Sequence, residues 1–289
     1  MKILLDGKDL INLAEHSTPI QLEELDHILR LKKAKLVLSF MNVRELAAPI
    51  AITGEILRIR ALLNRVESLP VCYIREGFII SDELRAAVTG FETGKEYTPI
   101  DPFVRRWDYT FHPGESPARD YVNYSLFDIV RTISRENAQL LLHPKRLAQI
   151  LREQFATERQ MPLGVKKSVV ANFPDALARH LSHWGLTAPT KGVRAFAKWI
   201  YANPARCPGY RLSYEMFHAI QANLTDVPKD GDIPDLAYLL ALPYVHYLTL
   251  DRRMYDYALR VSGKFSKANS AVDYKPRLFR SLKELLAII

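Results

Sequence analysis

Four carboxylates, Asp6, Glu45, Asp235 and Asp251, stand far apart in the chain, yet each follows or adjoins a segment patterned as a strand or as the start of a helix. Each has an ordinary explanation when taken alone. An Asp after a strand opens a turn, a Glu is a good surface helix former, and an Asp at a helix start caps it. Asp232 and Asp235 bracket Ile233 and Pro234, and proline belongs in the first turn of a helix, so either acid could be a cap. Capping accounts for each acid singly but not for the set. Carboxylates gathered at one edge repel one another unless a cation neutralises them, and hard divalent ions such as Mg²⁺ or Mn²⁺ take oxygen ligands of this kind. Spacing alone does not choose between Asp232 and Asp235.

The elements that must carry these acids read as α/β. Lys2 to Leu5 is a short apolar strand, Gln21 to Lys33 has helical spacing through Leu22, Leu25, Ile28 and Leu29, and Lys35 to Ser39 is a second buried strand. Open α/β sheets place their sites beyond the carboxyl ends of the strands, where Asp6 falls. A helix from Asn42 carries Glu45 until Pro49 interrupts it, and a second apolar-periodic helix runs through Ile52, Ile56, Ile59 and Leu62. Val71 to Ile74 is a possible third strand.

The texture then changes. An extended stretch rich in proline and aromatic residues, Tyr97 to Pro117, leads into helices at about 119 to 140, 145 to 157, 166 to 185 and 190 to 203. The α/β pattern returns with a helix at Pro234 to Leu242, a strand at Tyr247 to Leu250 ending in Asp251, and a helix at Arg253 to Val261. The economical reading is one α/β domain from residues 1–75 and 216–289, interrupted by a large mainly helical insertion at 76–215; two successive domains would give a similar pattern.

Of 289 residues, 48% are hydrophobic and 25% charged, which excludes a disordered chain and supplies a core. Two cysteines, Cys72 and Cys207, make neither a disulfide framework nor a Cys-rich metal site, and fit a reducing cytoplasm. No export signal and no uninterrupted apolar run of about 18 residues is read, so no membrane is expected. The formal net charge of +8, from 40 Lys and Arg against 32 Asp and Glu, favours polyanionic partners. Residues 252–289 hold nine Lys and Arg against three acids, a local excess of six positive charges.

Three stretches together resemble PIN-domain nucleases. They are Leu4-Leu5-Asp6-Gly7-Lys8-Asp9-Leu10-Ile11-Asn12-Leu13, then Leu38-Ser39-Phe40-Met41-Asn42-Val43-Arg44-Glu45-Leu46, and last Asp235-Leu236-Ala237 leading through Leu242-Pro243-Tyr244-Val245 to Leu248-Thr249-Leu250-Asp251-Arg252-Arg253-Met254. Their order matches as well. The resemblance covers roughly the first 75 and last 75 residues. The chain departs from the family's usual pattern at Gly7-Lys8, where many members have a small polar pair, and at Leu250, where Asn is frequent.

The resemblance implies a three-layer α/β domain with a central parallel sheet and metal-dependent hydrolysis of phosphodiester bonds, in RNA rather than DNA. Asp6, Glu45, Asp235 and Asp251 would be the catalytic, metal-binding acids, with Asp232 a further candidate ligand for Mg²⁺ or Mn²⁺. Thr249 would hydrogen-bond a ligand acid or a bound water, and Arg252 and Arg253 would contact phosphates. A non-catalytic nucleic-acid or protein interaction module on the same fold is the rival expectation. A homo-oligomer or a regulatory protein partner is compatible with either.

Other motifs carry less. Gly90 to Lys95 is one residue short of a phosphate-binding loop and continues with Glu96 instead of Ser or Thr. His180 and His183 share a helix face without further ligands, which reads as packing. Phe103, Arg105, Arg106, Trp107, Tyr109 and Phe111 mix aromatic surfaces with cations, as single-strand channels do, but an anchoring loop fits them at least as well.

Overall fold

The computed structural model describes residues 1–16, 19–104, 125–136, 149–153, 156, 169–223, 225–227, 229 and 232–289. Its centre is a mixed sheet built from β1 (Lys2–Leu4), β2 (Lys35–Leu38), β3 (Val71–Ile74), β4 (Phe103–Val104), β5 (Tyr247–Thr249) and β6 (Leu278–Phe279). The strand order is β4-β3-β2-β1-β5-β6, with β4 antiparallel to β3 and every other pairing parallel. In register, Ile3 of β1 lies between Leu36 of β2 and Tyr247 of β5.

Strand alternation divides two cores. Ile3, Leu5, Leu36 and Leu38 face one side, where α1 (Gly7–His16), α2 (Pro19–Leu31), α3 (Phe40–Thr53), α4 (Ile56–Glu67) and α6 (Leu126–Glu136) pack. Leu4, Val37, Cys72, Leu248 and Leu278 face the other, under α5 (Glu76–Thr93), α9 (Pro208–Ala222), α10 (Asp232–Ala241) and α11 (Arg252–Ala268). A short α12 (Leu282–Leu286) closes the first side through Leu285. With apolar cover on both faces, the strands can be short and hydrophobic throughout.

The stretch expected as an insertion contributes to all of these layers. β4 extends the sheet edge, α6 packs on α3 and α4, and α5 and α9 lie on the second face. Helices α7 (Val169–His183) and α8 (Val193–Ala202) build a third apolar cluster with α5 and α9 around Phe173, Leu177, Phe196, Ile200 and Tyr210. Among the described residues no helix is long and apolar enough to cross a membrane.

One local expectation needs correction. Pro49 does not end its helix: α3 runs through it to Thr53 and stops at Gly54, whose φ of 71° is left-handed and whose N–H reaches the Ile50 carbonyl. Proline's fixed φ suits a helix, and burial of Val43, Leu46, Ala47 and Ile50 offsets the lost Pro49 N–H. Directly after Asp6, α1 starts at Gly7. The chain lays down β2 and β3 on one side of β1 and later β5 and β6 on the other. The connections therefore part between β1 and β5, which is where an α/β sheet opens a crevice at its carboxyl edge.

Candidate functional site

Asp6 and Asp251 follow the carboxyl ends of two adjacent strands, β1 and β5, as neighbours. The Asp6 N–H donates to Thr249 Oγ1 at 3.0 Å, which ties the end of β1 to β5. Each acid also caps the helix that follows it. Asp6 Oδ1 accepts the Asp9 N–H at 2.7 Å, and Asp251 Oδ1 accepts the Met254 N–H at 2.7 Å. The remaining oxygen of each accepts no hydrogen bond from the described residues.

Glu45 reaches the same place from α3. Ser39 and Asn42 form the box that starts this helix just past β2, with the Asn42 N–H on Ser39 Oγ at 3.2 Å and the Ser39 N–H on Asn42 Oδ1 at 3.0 Å. Two turns on, Glu45 lies across the first residue of α1: a β-carbon on Gly7 would fall 1.6 Å from Glu45 Oε2. Only a residue without a side chain lets that carboxylate sit there. Tyr238, fully buried on α10, donates its hydroxyl to Glu45 Oε2 at 2.8 Å.

Asp235, one turn before Tyr238 on α10, faces the other acids. Burial first, then the charges of Asp251, Glu45, Asp6 and Asp232, push its carboxyl up to about 8. Asp232 is engaged differently. Its Oδ1 pairs with Arg253 and its Oδ2 accepts the Lys229 N–H at 2.9 Å. The two acids that spacing could not separate thus have distinct surroundings, one in the cluster and one in an ion pair at its margin.

Burial also dominates at Asp6, pushed up to about 6, and at Glu45, pushed up to about 7, with Asp9 and Asp251 adding to the first and Asp6 to the second. Tyr238, beside Glu45, Asp6 and Asp235, is held far above the ordinary phenol range by burial and those charges. Such a set holds negative charge only at a cost that a cation would remove. The donors are carboxylate oxygens alone, which fits a hard divalent ion. The side chains do not yet close around one: among the described residues, no three Asp, Glu, His or Cys converge on a single point as metal ligands. Asp6, Glu45, Asp235 and Asp251 are the residues that could hold an ion by side-chain rotation.

The other expected contacts are placed as follows. Thr249 is fully buried behind Asp6 and accepts its N–H, so it braces the acid from inside. Arg253 pairs through Nε with Asp226 at 2.8 Å and through Nη1 with Asp232, and Tyr257 also donates to Asp226 at 2.6 Å, so two of its three nitrogens are held by acids at the margin of the cluster. Arg252 is exposed at the start of α11 beside Asp251, and Lys8 is exposed two residues after Asp6.

The basic C-terminal stretch is partly consumed by structure. Arg277 donates to the Pro243 and Val245 carbonyls, and Arg280 lies over Tyr255. His180 Nδ1 contacts the Ala176 carbonyl at 2.8 Å and stacks edge-on with Tyr210, a packing role. Gly90 and Gly94 belong to the end of α5, where Gly94 is its left-handed cap. Phe103 lies in β4 under the Lys2 ammonium, while Arg105, Arg106, Trp107, Tyr109 and Phe111 lie outside the described residues. Cys72 and Cys207 are both free and buried.

Sequence reasoning missed Gly7, Asp9, Asn42 and Tyr238. Asp9 links the site to the C-terminus, accepting the Leu282 N–H at 3.1 Å through Oδ2. The available signals were faint: an Asn three residues after Ser39, and a Tyr three after Asp235 on a face otherwise aliphatic. No protein-family model, no curated protein and no solved structure matches this chain.

Proposed function

We propose that this protein is a divalent-metal-dependent nuclease on a PIN-like fold, hydrolysing phosphodiester bonds in RNA rather than DNA in the cytoplasm. The observation that carries the reading is the meeting of Asp6, Glu45, Asp235 and Asp251 at the carboxyl edge where β1 and β5 part, with three of the four pushed toward protonation by burial and by one another. One or two Mg²⁺ or Mn²⁺ ions held by these acids would supply an activated water and stabilise charge on the phosphate. The chain's own part is positional. Backbone caps hold one oxygen each of Asp6 and Asp251, leaving the other for the ion. Thr249 braces Asp6, and the Arg253 pair fixes the start of α10 that carries Asp235. Lys8 and Arg252, exposed beside the acids, would meet neighbouring phosphates of a polymer. The preference for RNA follows the resemblance to PIN-domain nucleases, and α7 and α8, as part of a helical insertion, would shape access.

The purified chain with labelled RNA or single-stranded DNA and Mn²⁺, Mg²⁺ or EDTA is expected to cleave RNA, to stop in EDTA, and to lose cleavage in Asp6→Asn and Asp251→Asn. Cleavage that persists in both variants refutes the assignment. The second reading, a nucleic-acid-binding module without catalysis, is favoured by the failure of three acids to converge among the described residues. Metal-independent RNA binding with no cleavage of any substrate would establish it.

A further inference from the structure

A chain of hydrogen bonds behind Glu45 runs in one direction when Glu45 is ionised. The Asn42 side-chain amide is oriented by its neighbours: Oδ1 accepts the Ser39 N–H at 3.0 Å, and Nδ2 donates to the Leu5 carbonyl at 3.0 Å, a group that can only accept. The second Nδ2 hydrogen goes to Tyr238 Oη at 3.0 Å. With its oxygen already accepting, Tyr238 places its single hydroxyl hydrogen on Glu45 Oε2 at 2.8 Å. Asn42, Tyr238 and Leu5 are all buried, so water does not compete for these bonds. The run begins just past β1, passes through Asn42 on α3 to Tyr238 on α10 and returns to Glu45 on α3, so it links the segments from which Asp6, Glu45 and Asp235 project.

We infer that Asn42 and Tyr238 are positioning residues that hold Glu45 as a hydrogen-bond acceptor through Oε2 and leave Oε1 for a divalent cation. The inference rests on the nuclease reading. A tyrosine alone could rotate its hydroxyl toward another acceptor; the fixed amide of Asn42 removes that freedom. Oε1 accepts no hydrogen bond from the described residues, and Gly7 leaves Glu45 the space it occupies. Partners of metal-ligating groups set ligand orientation, and their removal typically costs about 10- to 100-fold in metal affinity or activity.

The test compares Tyr238→Phe with Tyr244→Phe in the full-length chain. Tyr244 donates its hydroxyl to the buried Glu83 on α5, away from the cluster, so its variant loses the same kind of bond elsewhere. Mn²⁺ binding is followed by electron paramagnetic resonance, and kcat and KM are measured on one RNA oligonucleotide. Tyr238→Phe is expected to weaken Mn²⁺ binding and lower kcat by about 10- to 100-fold with KM within about twofold, whereas Tyr244→Phe changes neither. Should Tyr238→Phe not fold, Asn42→Ala removes the amide that orients the Tyr238 hydroxyl without adding a charge, with a loss of Mn²⁺ affinity in the same direction expected. Wild-type Mn²⁺ affinity and kcat in the folded variant overturn the inference, as does an equal loss in Tyr244→Phe. A wild-type chain that binds no Mn²⁺ overturns the nuclease reading itself.

Discussion

Gly7→Ala isolates the contact between α1 and Glu45. The added β-carbon would lie 1.6 Å from Glu45 Oε2 and 2.6 Å from its carboxyl carbon, inside any tolerable separation, so the Glu45 head must leave. No positive φ is involved at Gly7, and alanine in a helix is itself worth about 0.5–1 kcal/mol over glycine. Against that gain stands the Tyr238 hydroxyl, which loses its acceptor in a buried site, a cost of about 1–3 kcal/mol. Asn42 still occupies the phenol oxygen, so the hydroxyl cannot turn back toward it. The net expectation is a loss centred on about 1 kcal/mol within a range of about 0–2.5 kcal/mol, or roughly 2–4 °C in Tm at the centre of that range for a chain of this size. Cleavage should fall by at least the roughly tenfold expected when a ligand is displaced. Thermal unfolding and a single-turnover cleavage assay measure the two effects. In a Glu45→Ala background the same Gly7→Ala change should be neutral or stabilising, because the clash is gone. A Gly7→Ala protein with unchanged or higher Tm and full activity would show that Glu45 does not occupy this position, and the geometry argued for the cluster would fall with it.

Two further expectations follow from the charges. Asp6, Glu45 and Asp235 have folded pKa values raised to about 6, 7 and 8, so they bind protons in the folded state that the unfolded chain has already released. Their contribution to stability is therefore full below about pH 4 and is lost progressively as pH rises to about 8. In EDTA the Tm should fall across that range and Mn²⁺ should restore it at pH 8, by about 2.7 kcal/mol at a hundred times its Kd; a Tm that rises from pH 5 to pH 8 in EDTA would contradict the burial argued for these acids. The two adjacent arginines should separate cleanly. Arg253→Gln strands the buried Asp232 and should cost about 3 kcal/mol in denaturant unfolding, while Arg252→Gln should leave stability alone and reduce the salt dependence of RNA binding by about one unit of slope. Equal effects of the two substitutions on stability would refute the division of labour.

The regular elements were legible where their pattern was long or strongly apolar. Val71–Ile74 was located to the residue, and the starts of β1, β2 and β5 were located within the reach of the pattern. β4 and β6 were not read, since two residues cannot display a period of two, and both exist because a longer strand offers them an edge. Helices α5 and α9 were passed over. Both are buried on more than one side, which blurs the 3.6-residue stripe: α5 packs toward the sheet through Ile79 and toward α8 through Leu84 and Ala87. Pro49 misled because proline's steric rule concerns the preceding turn and ignores what tertiary packing can offset. In the site, Asp6 and Asp251 could be found because strand ends are visible in sequence. Asp232 and Asp235 could not be told apart, because the residue that separates them is Arg253, which pairs with only one of them across the crevice. Tyr238 and Asn42 were invisible for a similar reason: their meaning lies in each other, 196 residues apart.

The rivalry between capping and function, which made each acid ambiguous when read alone, dissolves at the level of single oxygens. A helix N-terminus needs one acceptor, and Asp6 and Asp251 each supply it with Oδ1. A carboxylate has a second oxygen, and a cap fixes where that oxygen lies far better than a freely rotating side chain could. Glu45, which sits inside a helix and caps nothing, needs another means of fixing, and the Asn42–Tyr238 bonds provide it. Asp235 accepts no hydrogen bond from the described residues and is also the acid pushed furthest from its ordinary value, by burial and by four neighbouring carboxylates. It is the least restrained member of the cluster and the one whose ionisation depends most on a compensating charge. On the proposed metal-dependent reading, closure around an ion would fall first to rotation at Asp235, with the three restrained acids forming the wall against which it would close.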